Sequence, residues 1–150
     1  MTWKKTIDNL FAMQQFAIRV AQYADKGFTV CLSGELGAGK TTFTQFFGAA
    51  IGIDEPINSP TFTIMKLYDD SNLPLVHIDA YRLEGVHEEP SLEDYIFGPY
   101  VCVIEWYEHI KGSLPDNYLA IDFMRISETS RELIIKGSGR YETIAKALSH

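Results

Sequence analysis

The chain has 150 residues, of which 46% are hydrophobic and 22% are charged, and its formal net charge is −7. This length suits one domain with its own core, and the apolar runs are far shorter than the ~20 residues that cross a bilayer. The acidic balance excludes broad attraction to DNA or RNA, because such binding depends on lysines and arginines that neutralise phosphates. We therefore predict a single domain over residues 1–150 with no membrane segment, which meets nucleic acid only indirectly.

The first predicted elements are a short edge strand and a helix. The strand is expected over Thr2–Ile7, and either Asp8 or Asn9 then caps the helix. Apolar residues recur at helical spacing over 10–24, and Gly27 is expected to end this helix. The N-terminal residues include two lysines but no apolar stretch and no small-residue cleavage site. They are therefore not an export signal, and we expect a cytoplasmic protein.

A phosphate-binding loop follows a predicted buried strand over residues 28–32. Residues 34–41, G-E-L-G-A-G-K-T, fill every fixed position of the pattern G-x-x-x-x-G-K-[ST]. The glycines let backbone N–H groups face a polyphosphate, Lys40 can reach its outer phosphates, and the Thr41 hydroxyl can ligate magnesium. A helix is predicted from Thr42 to about Ile51, with Gly52 as its stop signal. A turn that merely joins two elements would not require a lysine followed by a threonine at this place.

The middle of the chain contains a connector and a hairpin. Residues 55–60 include two prolines, which predicts an irregular segment that can move. The alternation over residues 61–68, the turn over 69–72 and a second strand over Leu75–Asp79 predict a β-hairpin. A short helix is expected over residues 92–97.

The last part of the chain completes an α/β pattern. Residues 100–104 form a continuous apolar run, which is typical of a strand buried on both faces. Two further strands are expected over 118–123 and 132–136, and a closing helix over 141–148. These elements predict an α/β fold of the P-loop NTPase type, with a mostly parallel sheet flanked by helices and one antiparallel hairpin.

Two carboxylates follow predicted strands and are candidates for holding magnesium. A phosphate-binding loop needs a carboxylate at the end of a neighbouring strand, usually to hold the metal through its water ligands. Glu105 directly follows an apolar strand, whereas Asp79 lies in a segment crowded with polar groups, so we favour Glu105 as the closer metal partner. Trp106 comes next, and its indole could either stack near a nucleotide or cover the edge of the core.

Two other polar residues accompany these carboxylates. His77 is expected to be a core or supporting histidine rather than a base. Arg82 could face developing phosphate charge or pair with the acidic residues that follow it, and the sequence leaves both roles open.

Four motifs occur in order along the chain, at residues 34–42, 59–63 (S-P-T-F-T), 77–83 (H-I-D-A-Y-R-L) and 103–106 (V-I-E-W). Together they closely resemble the bacterial TsaE (YjeE) family over about residues 29–106. The resemblance implies a small ATPase that uses ATP and Mg²⁺ and is needed to form threonylcarbamoyladenosine in certain tRNAs. It also implies that the protein acts on a complex of TsaB and TsaD, so that the chemistry on tRNA belongs to TsaD.

The resemblance assigns roles to the residues of these motifs. Lys40 would be the phosphate lysine, and Thr41 and Glu105 the magnesium ligands. Trp106 would lie beside the nucleotide. The nucleotide-binding residues expected from the loop and its surroundings are Gly34, Glu35, Leu36, Gly37, Ala38, Gly39, Lys40, Thr41, Thr42 and Trp106.

Further roles follow from the resemblance for residues outside the loop. Residues 59–63 would form a switch-type loop, with Thr61 and Asp79 near the reacting phosphate. The catalytic set is therefore Lys40, Thr61, Asp79 and Glu105. We assign to Asn9 the adenine contact that the family makes near the start of its first helix. We assign to Arg131 the arginine that the family has late in its sequence.

Three other functions compete with an ATPase on the sequence alone. A small-molecule kinase generally needs a lid with several arginines, but the chain has five arginines in all and no arginine-rich insertion. A GTP-operated switch would need an N-K-x-D motif, which does not occur here. A nucleotide-binding scaffold without turnover would share the same loop and carboxylates, so this alternative stays open.

Overall fold

The structure is a computed structural model that describes residues 1–58, 60, 64–83 and 90–150. Its strands are β1 (Thr2–Ile7), β2 (Thr29–Ser33), β3 (Met65–Tyr68), β4 (Leu75–Asp79), β5 (Val101–Glu105), β6 (Leu119–Arg125) and β7 (Arg131–Gly137). Its α-helices are α1 (Leu10–Ala21), α2 (Lys40–Ala50), α3 (Pro90–Ile96) and α4 (Arg140–Leu148), and short 3-10 helices cover Tyr81–Leu83 and Tyr107–Ser113. Within these ranges, no helix is long and apolar enough to cross a membrane.

The strands form one mixed sheet in the order β1-β7-β6-β2-β5-β4-β3. The central strands β6, β2, β5 and β4 run parallel, while β1, β7 and β3 pair antiparallel at the two sides. The predicted hairpin is present, because β3 pairs with β4 from Met65 opposite Ile78 to Tyr68 opposite Leu75. The structure confirms an α/β fold with flanking helices and this antiparallel hairpin. The sheet is more mixed than predicted, because β7 also pairs antiparallel with both β6 and β1.

The start of the chain follows the prediction except for the length of its helix. Asn9 is the cap, since its side chain accepts a hydrogen bond of 2.8 Å from the Ala12 N–H. The helix ends at Ala21 rather than near Gly27. The apolar pattern continues beyond the helix because Ala24, in the turn after it, still packs against the core. Gly27 adopts a φ of +96° where the chain turns toward β2.

Of the strand predicted over residues 61–68, the structure shows β3 (Met65–Tyr68); Ile64 precedes the strand, and residues 61–63 lie outside the described residues. The apolar run before Glu105 forms β5, whose five residues are all buried. Its position between β2 and β4 explains this burial, because a central strand of a parallel sheet has both faces covered.

Side-chain alternation separates the two faces of the sheet. Val76 and Ile78 pack into the cluster that contains α3, together with neighbouring side chains of β5. Leu75 and Val103 pack into the other cluster, which contains the phenylalanines of α2. Because successive side chains of a strand point to opposite faces, Asp79 and Glu105 share the face that α2 covers. The fold therefore places both carboxylates on the side of the sheet that carries the phosphate-binding loop.

Candidate functional site

The loop between β2 and α2 has the backbone that its glycines predict. Gly34, Gly37 and Gly39 have φ values of +134°, +81° and +111°, which other residues rarely adopt. At Gly34 a side chain is also excluded by space, because an added Cβ would lie 2.5 Å from the Phe123 carbonyl oxygen. Since α2 begins at Lys40, the N–H groups of its first turn open toward this loop.

The Lys40 side chain is buried, and its ammonium group lies at the centre of the site. The Nζ atom donates a hydrogen bond to the Gly34 carbonyl oxygen and sits 4.6 Å from the centroid of the Trp106 ring. Both partners are neutral. The ammonium and the start of α2 therefore form a positively polarised wall that favours an anionic ligand.

The two carboxylates stand side by side at the ends of neighbouring strands. Asp79 and Glu105 are register partners in the parallel strands β4 and β5. Glu105 is 3% exposed, and its Oε2 atom lies 2.6 Å from Nε2 of the fully buried His77. Asp79 is half-buried, and its Oδ1 atom accepts a 3.1 Å hydrogen bond from the Tyr81 N–H. Each carboxylate is thus oriented by a neighbour.

Lys40, the start of α2 and the two carboxylates together line a cavity of about 270 Å³. The residues that line it are Leu36, Gly37, Gly39, Lys40, Thr41, Thr42, Asp79, Glu105, Trp106 and Arg131. This arrangement can hold an anion along the loop and a cation beside the carboxylates. In the described ranges, no group of three or more His, Cys, Asp or Glu side chains is placed to hold a metal ion without other donors.

Trp106 has a strained backbone that turns its indole over the cavity. Its φ of +57° and ψ of 41° make it the one residue other than glycine with a positive φ in the described part of the chain. Such conformations cost on the order of 1–3 kcal/mol and persist where neighbouring contacts impose them. Here the ring stacks on His109 at 5.7 Å and meets the edge of Tyr81 at 5.1 Å. The Trp106 N–H also donates to the Leu32 carbonyl oxygen at 3.2 Å.

Arg131 joins this cavity to a second one of about 290 Å³. Its Nε atom donates to the Ala38 carbonyl oxygen at 3.1 Å, so the guanidinium lies against the phosphate-binding loop. The second cavity is lined by Ile7, Asn9, Leu10, Met13, Gly39, Thr42, Glu128, Thr129 and Arg131. Its apolar wall and polar rim suit a flat heterocycle better than a phosphate.

The structure brings together most of the residues predicted for the site. Asn9 and Arg131, which are far apart in sequence, line the same cavity beside the loop. Glu35 and Leu36 are exposed at the tip of the loop, where Leu36 is 99% exposed. Thr61 and the rest of the 59–63 segment apart from Pro60 lie outside the described residues, so the predicted switch loop stays a prediction.

Other site residues were not singled out from the sequence. Tyr81 and His109 pack on the Trp106 ring, and Glu128 and Thr129 line the second cavity. Tyr81 belongs to the motif over residues 77–83, although the sequence predicts no separate role for it. The local sequence does not mark His109, Glu128 or Thr129, although the polar turn before β7 is a signal for a loop. Arg82 is exposed in the 3-10 helix after β4, and both of its predicted roles stay open.

Comparisons with known proteins give a consistent result. A sequence model of the family described as "Threonylcarbamoyl adenosine biosynthesis protein TsaE" matches residues 7–133. The chain is 44% identical over 130 residues to the tRNA threonylcarbamoyladenosine biosynthesis protein TsaE of Bacillus subtilis, with 86% of this chain and 82% of that protein covered. The protein of the same name from Treponema pallidum is 35% identical over 118 residues, with 77% and 87% covered. The crystal structure of Bacillus subtilis YdiB is similar with a TM-score of 0.80 and 35% identity, over 99% of this chain and 95% of that one.

Proposed function

Because the chain belongs to the TsaE family of threonylcarbamoyl adenosine biosynthesis proteins, we propose that it is a P-loop ATPase that supports this tRNA modification. The observation that carries the proposal is the single cavity that Lys40, the start of α2, Asp79 and Glu105 line together. Backbone N–H groups, an ammonium and two carboxylates around one cavity suit a nucleoside triphosphate bound with a divalent cation. As the sequence predicts, the protein is expected to act in the cytoplasm.

The phosphates of ATP would lie along the loop. The positive φ values of Gly34, Gly37 and Gly39 allow the backbone to turn around an anion. Lys40 would leave the Gly34 carbonyl oxygen and the Trp106 ring, both neutral partners, for the more strongly attracting outer phosphates. Phosphoryl transfer depends on positioning and charge neutralisation, and these residues supply both.

The oxygen donors at the cavity fit magnesium. The Thr41 hydroxyl and the carboxylates of Asp79 and Glu105 line one cavity, and hard oxygen ligands are those that Mg²⁺ prefers. We propose Thr41 and Glu105 as its protein ligands, directly or through water. When bound, magnesium would neutralise charge on the outer phosphate oxygens. We propose that Asp79 orients the attacking water; this carboxylate is half-buried and accepts a hydrogen bond from the Tyr81 N–H.

The second cavity is proposed for the adenine. It begins where the loop ends, at Gly39 and Thr42, and Asn9 supplies a polar group at its rim. Arg131 lies at the boundary between the two cavities, where its guanidinium can also meet phosphate charge.

Nucleotide binding should change the fluorescence of Trp106. The indole lies 4.6 Å from the Lys40 Nζ atom, so movement of the ammonium toward phosphates alters the field around the ring. We expect the change on addition of ATP to vanish in Trp106→Phe and to survive in Trp3→Phe, which removes the tryptophan in β1. A signal that disappears only in Trp3→Phe would place the nucleotide elsewhere.

We further propose that a TsaB–TsaD complex stimulates hydrolysis. Exposed apolar side chains adjoin the two cavities, among them Leu10, Leu36 and Tyr81, which are 64%, 99% and 58% exposed. Apolar surface of this kind is typical of a protein-binding site. A partner seated there would exclude water from the site and order its loops, which are the usual ways in which closure accelerates phosphoryl transfer. The net charge of −7 favours binding to proteins over direct binding to tRNA.

ATP hydrolysis with and without the partner complex tests this function. We expect slow, magnesium-dependent hydrolysis by the protein alone, faster hydrolysis with TsaB and TsaD, and weak binding to tRNA in their absence. EDTA should abolish turnover. Equal rates of ATP hydrolysis with and without the partners would contradict the proposal that the partner complex stimulates the protein. Tight tRNA binding by the isolated protein at physiological salt would contradict it as well. Nucleotide binding without any turnover, even with the partners, would favour the scaffold alternative.

A further inference from the structure

We propose that His77 is a positioning residue that holds the Glu105 carboxylate in the orientation needed for magnesium, an inference that rests on the proposed function. His77 is fully buried, and its Nε2 atom lies 2.6 Å from Oε2 of Glu105. In the magnesium-binding state the Glu105 carboxylate would be ionised and would only accept hydrogen bonds, so Nε2 of His77 would be the donor in this pair. His77 therefore contacts one of the two carboxylate oxygens of Glu105. The other oxygen, Oε1, would then bind the cation in the cavity that Glu105 lines.

The register of the sheet makes this contact possible. His77 and Asp79 alternate with Val76 and Ile78 along β4, so they share the α2 face of the sheet with Glu105. Asp79 stands directly beside Glu105 in the neighbouring strand, and His77 lies one same-face position earlier. From that position the imidazole reaches the Glu105 carboxylate from the interior of the sheet. It therefore restrains the carboxylate from a fully buried position that lines neither of the two cavities.

The other ring nitrogen of His77 indicates that this residue does not serve stability alone. Within the described residues, Nδ1 is buried and has no hydrogen-bond partner. Burying an unpaired polar atom is unfavourable, and an aliphatic side chain would fill the same space without that penalty. The contact with Glu105 is the feature that an aliphatic residue could not replace.

The expected loss of magnesium affinity without His77 can be judged from other side chains that hydrogen-bond a metal ligand. A side chain that hydrogen-bonds a ligating carboxylate fixes its rotamer, and loss of that side chain typically weakens metal affinity or activity by about 10- to 100-fold. Here the effect should fall on the magnesium-dependent part of nucleotide binding. The magnesium-free part depends on the loop and the second cavity, and His77 is absent from the residues that line either described cavity.

Calorimetric titration with ADP, in magnesium and in EDTA, tests the proposal without requiring turnover. His77→Leu removes the donor, whereas His77→Gln keeps an N–H near the place of Nε2. We expect His77→Leu to reduce the gain in ADP affinity from magnesium by about tenfold or more, with the affinity in EDTA unchanged, and His77→Gln to restore most of that gain. Tyr68→Phe is the matched control, because the Tyr68 hydroxyl is also buried in this region of the sheet without a partner in the described residues.

Several outcomes would overturn the proposal. One is a wild-type magnesium effect in His77→Leu, and another is an equal loss in magnesium and EDTA that His77→Gln does not restore. If His77→Leu does not fold, as judged by circular dichroism, His77→Asn replaces it. The shorter asparagine cannot reach Glu105 and should lose the magnesium effect while His77→Gln keeps it, and equal behaviour of the two would refute the role. A wild-type protein that binds ADP equally in magnesium and EDTA would instead contradict the proposed function itself.

Discussion

Replacing Lys40 with alanine should lower ATP hydrolysis by at least about 10²-fold, which is the scale for removing one group that stabilises charge in the transition state. The ammonium is buried at the centre of the cavity, 4.6 Å from the Trp106 ring, and is the proposed contact with the outer phosphates. Binding of ATP should weaken as well, because the same charge stabilises the bound phosphates. Steady-state hydrolysis assays and calorimetry measure the two effects separately.

The matched control for this variant is Lys146→Ala, which removes an exposed lysine from α4. Both variants lose one positive charge. A difference in their ATP hydrolysis or binding therefore reflects the position of Lys40 in the site and not the change in the net charge of the protein. Lys40→Ala should keep the wild-type circular dichroism spectrum, because the glycine backbone and α2 do not depend on the ammonium. Unchanged hydrolysis in a folded Lys40→Ala protein would contradict the assignment of the loop.

Glu105→Gln should reduce magnesium-dependent hydrolysis by about 10²- to 10³-fold. Glutamine keeps the size of the side chain and can still accept the hydrogen bond from His77 through its carbonyl oxygen, so the buried strand β5 should remain folded. It removes the negative charge that the metal requires. Nucleotide affinity in EDTA should therefore remain close to that of the wild type, while the gain in affinity from magnesium should be lost.

Two further variants define what the Glu105 result means. Glu108→Gln removes an exposed carboxylate three residues later and should leave the magnesium response unchanged. Asp79→Asn tests the neighbouring carboxylate, which we assign to the attacking water. This variant should slow hydrolysis and keep the gain in nucleotide affinity from magnesium. If Asp79→Asn loses that gain and Glu105→Gln keeps it, the two roles are reversed.

The sequence alone was sufficient for those parts of the protein that depend on local spacing. The phosphate-binding loop over residues 34–41 can be recognised because its glycines, lysine and threonine must occur at fixed positions within eight consecutive residues. The apolar run of β5 and the alternation of β3 can be recognised because the side chains of a strand alternate between its two faces, so a few residues are enough to show the burial of each face. Membership of the TsaE family likewise follows from contiguous motifs, which the comparisons confirm. In all these cases the determining interactions lie within a few residues of one another.

Only the tertiary structure decided which distant side chains meet. Asn9 and Arg131 reach one cavity because β1 pairs with β7, and the link between His77 and Glu105 depends on the register of β4 with β5. The left-handed conformation of Trp106 also has no local signal, because tryptophan disfavours it and the contacts that impose it come from other segments. Such pairings are set by the packing of the whole sheet, where a shift of one residue would turn every side chain of a strand to the other face. The motifs therefore predicted which residues form the candidate site, and the sheet determined how these residues are arranged.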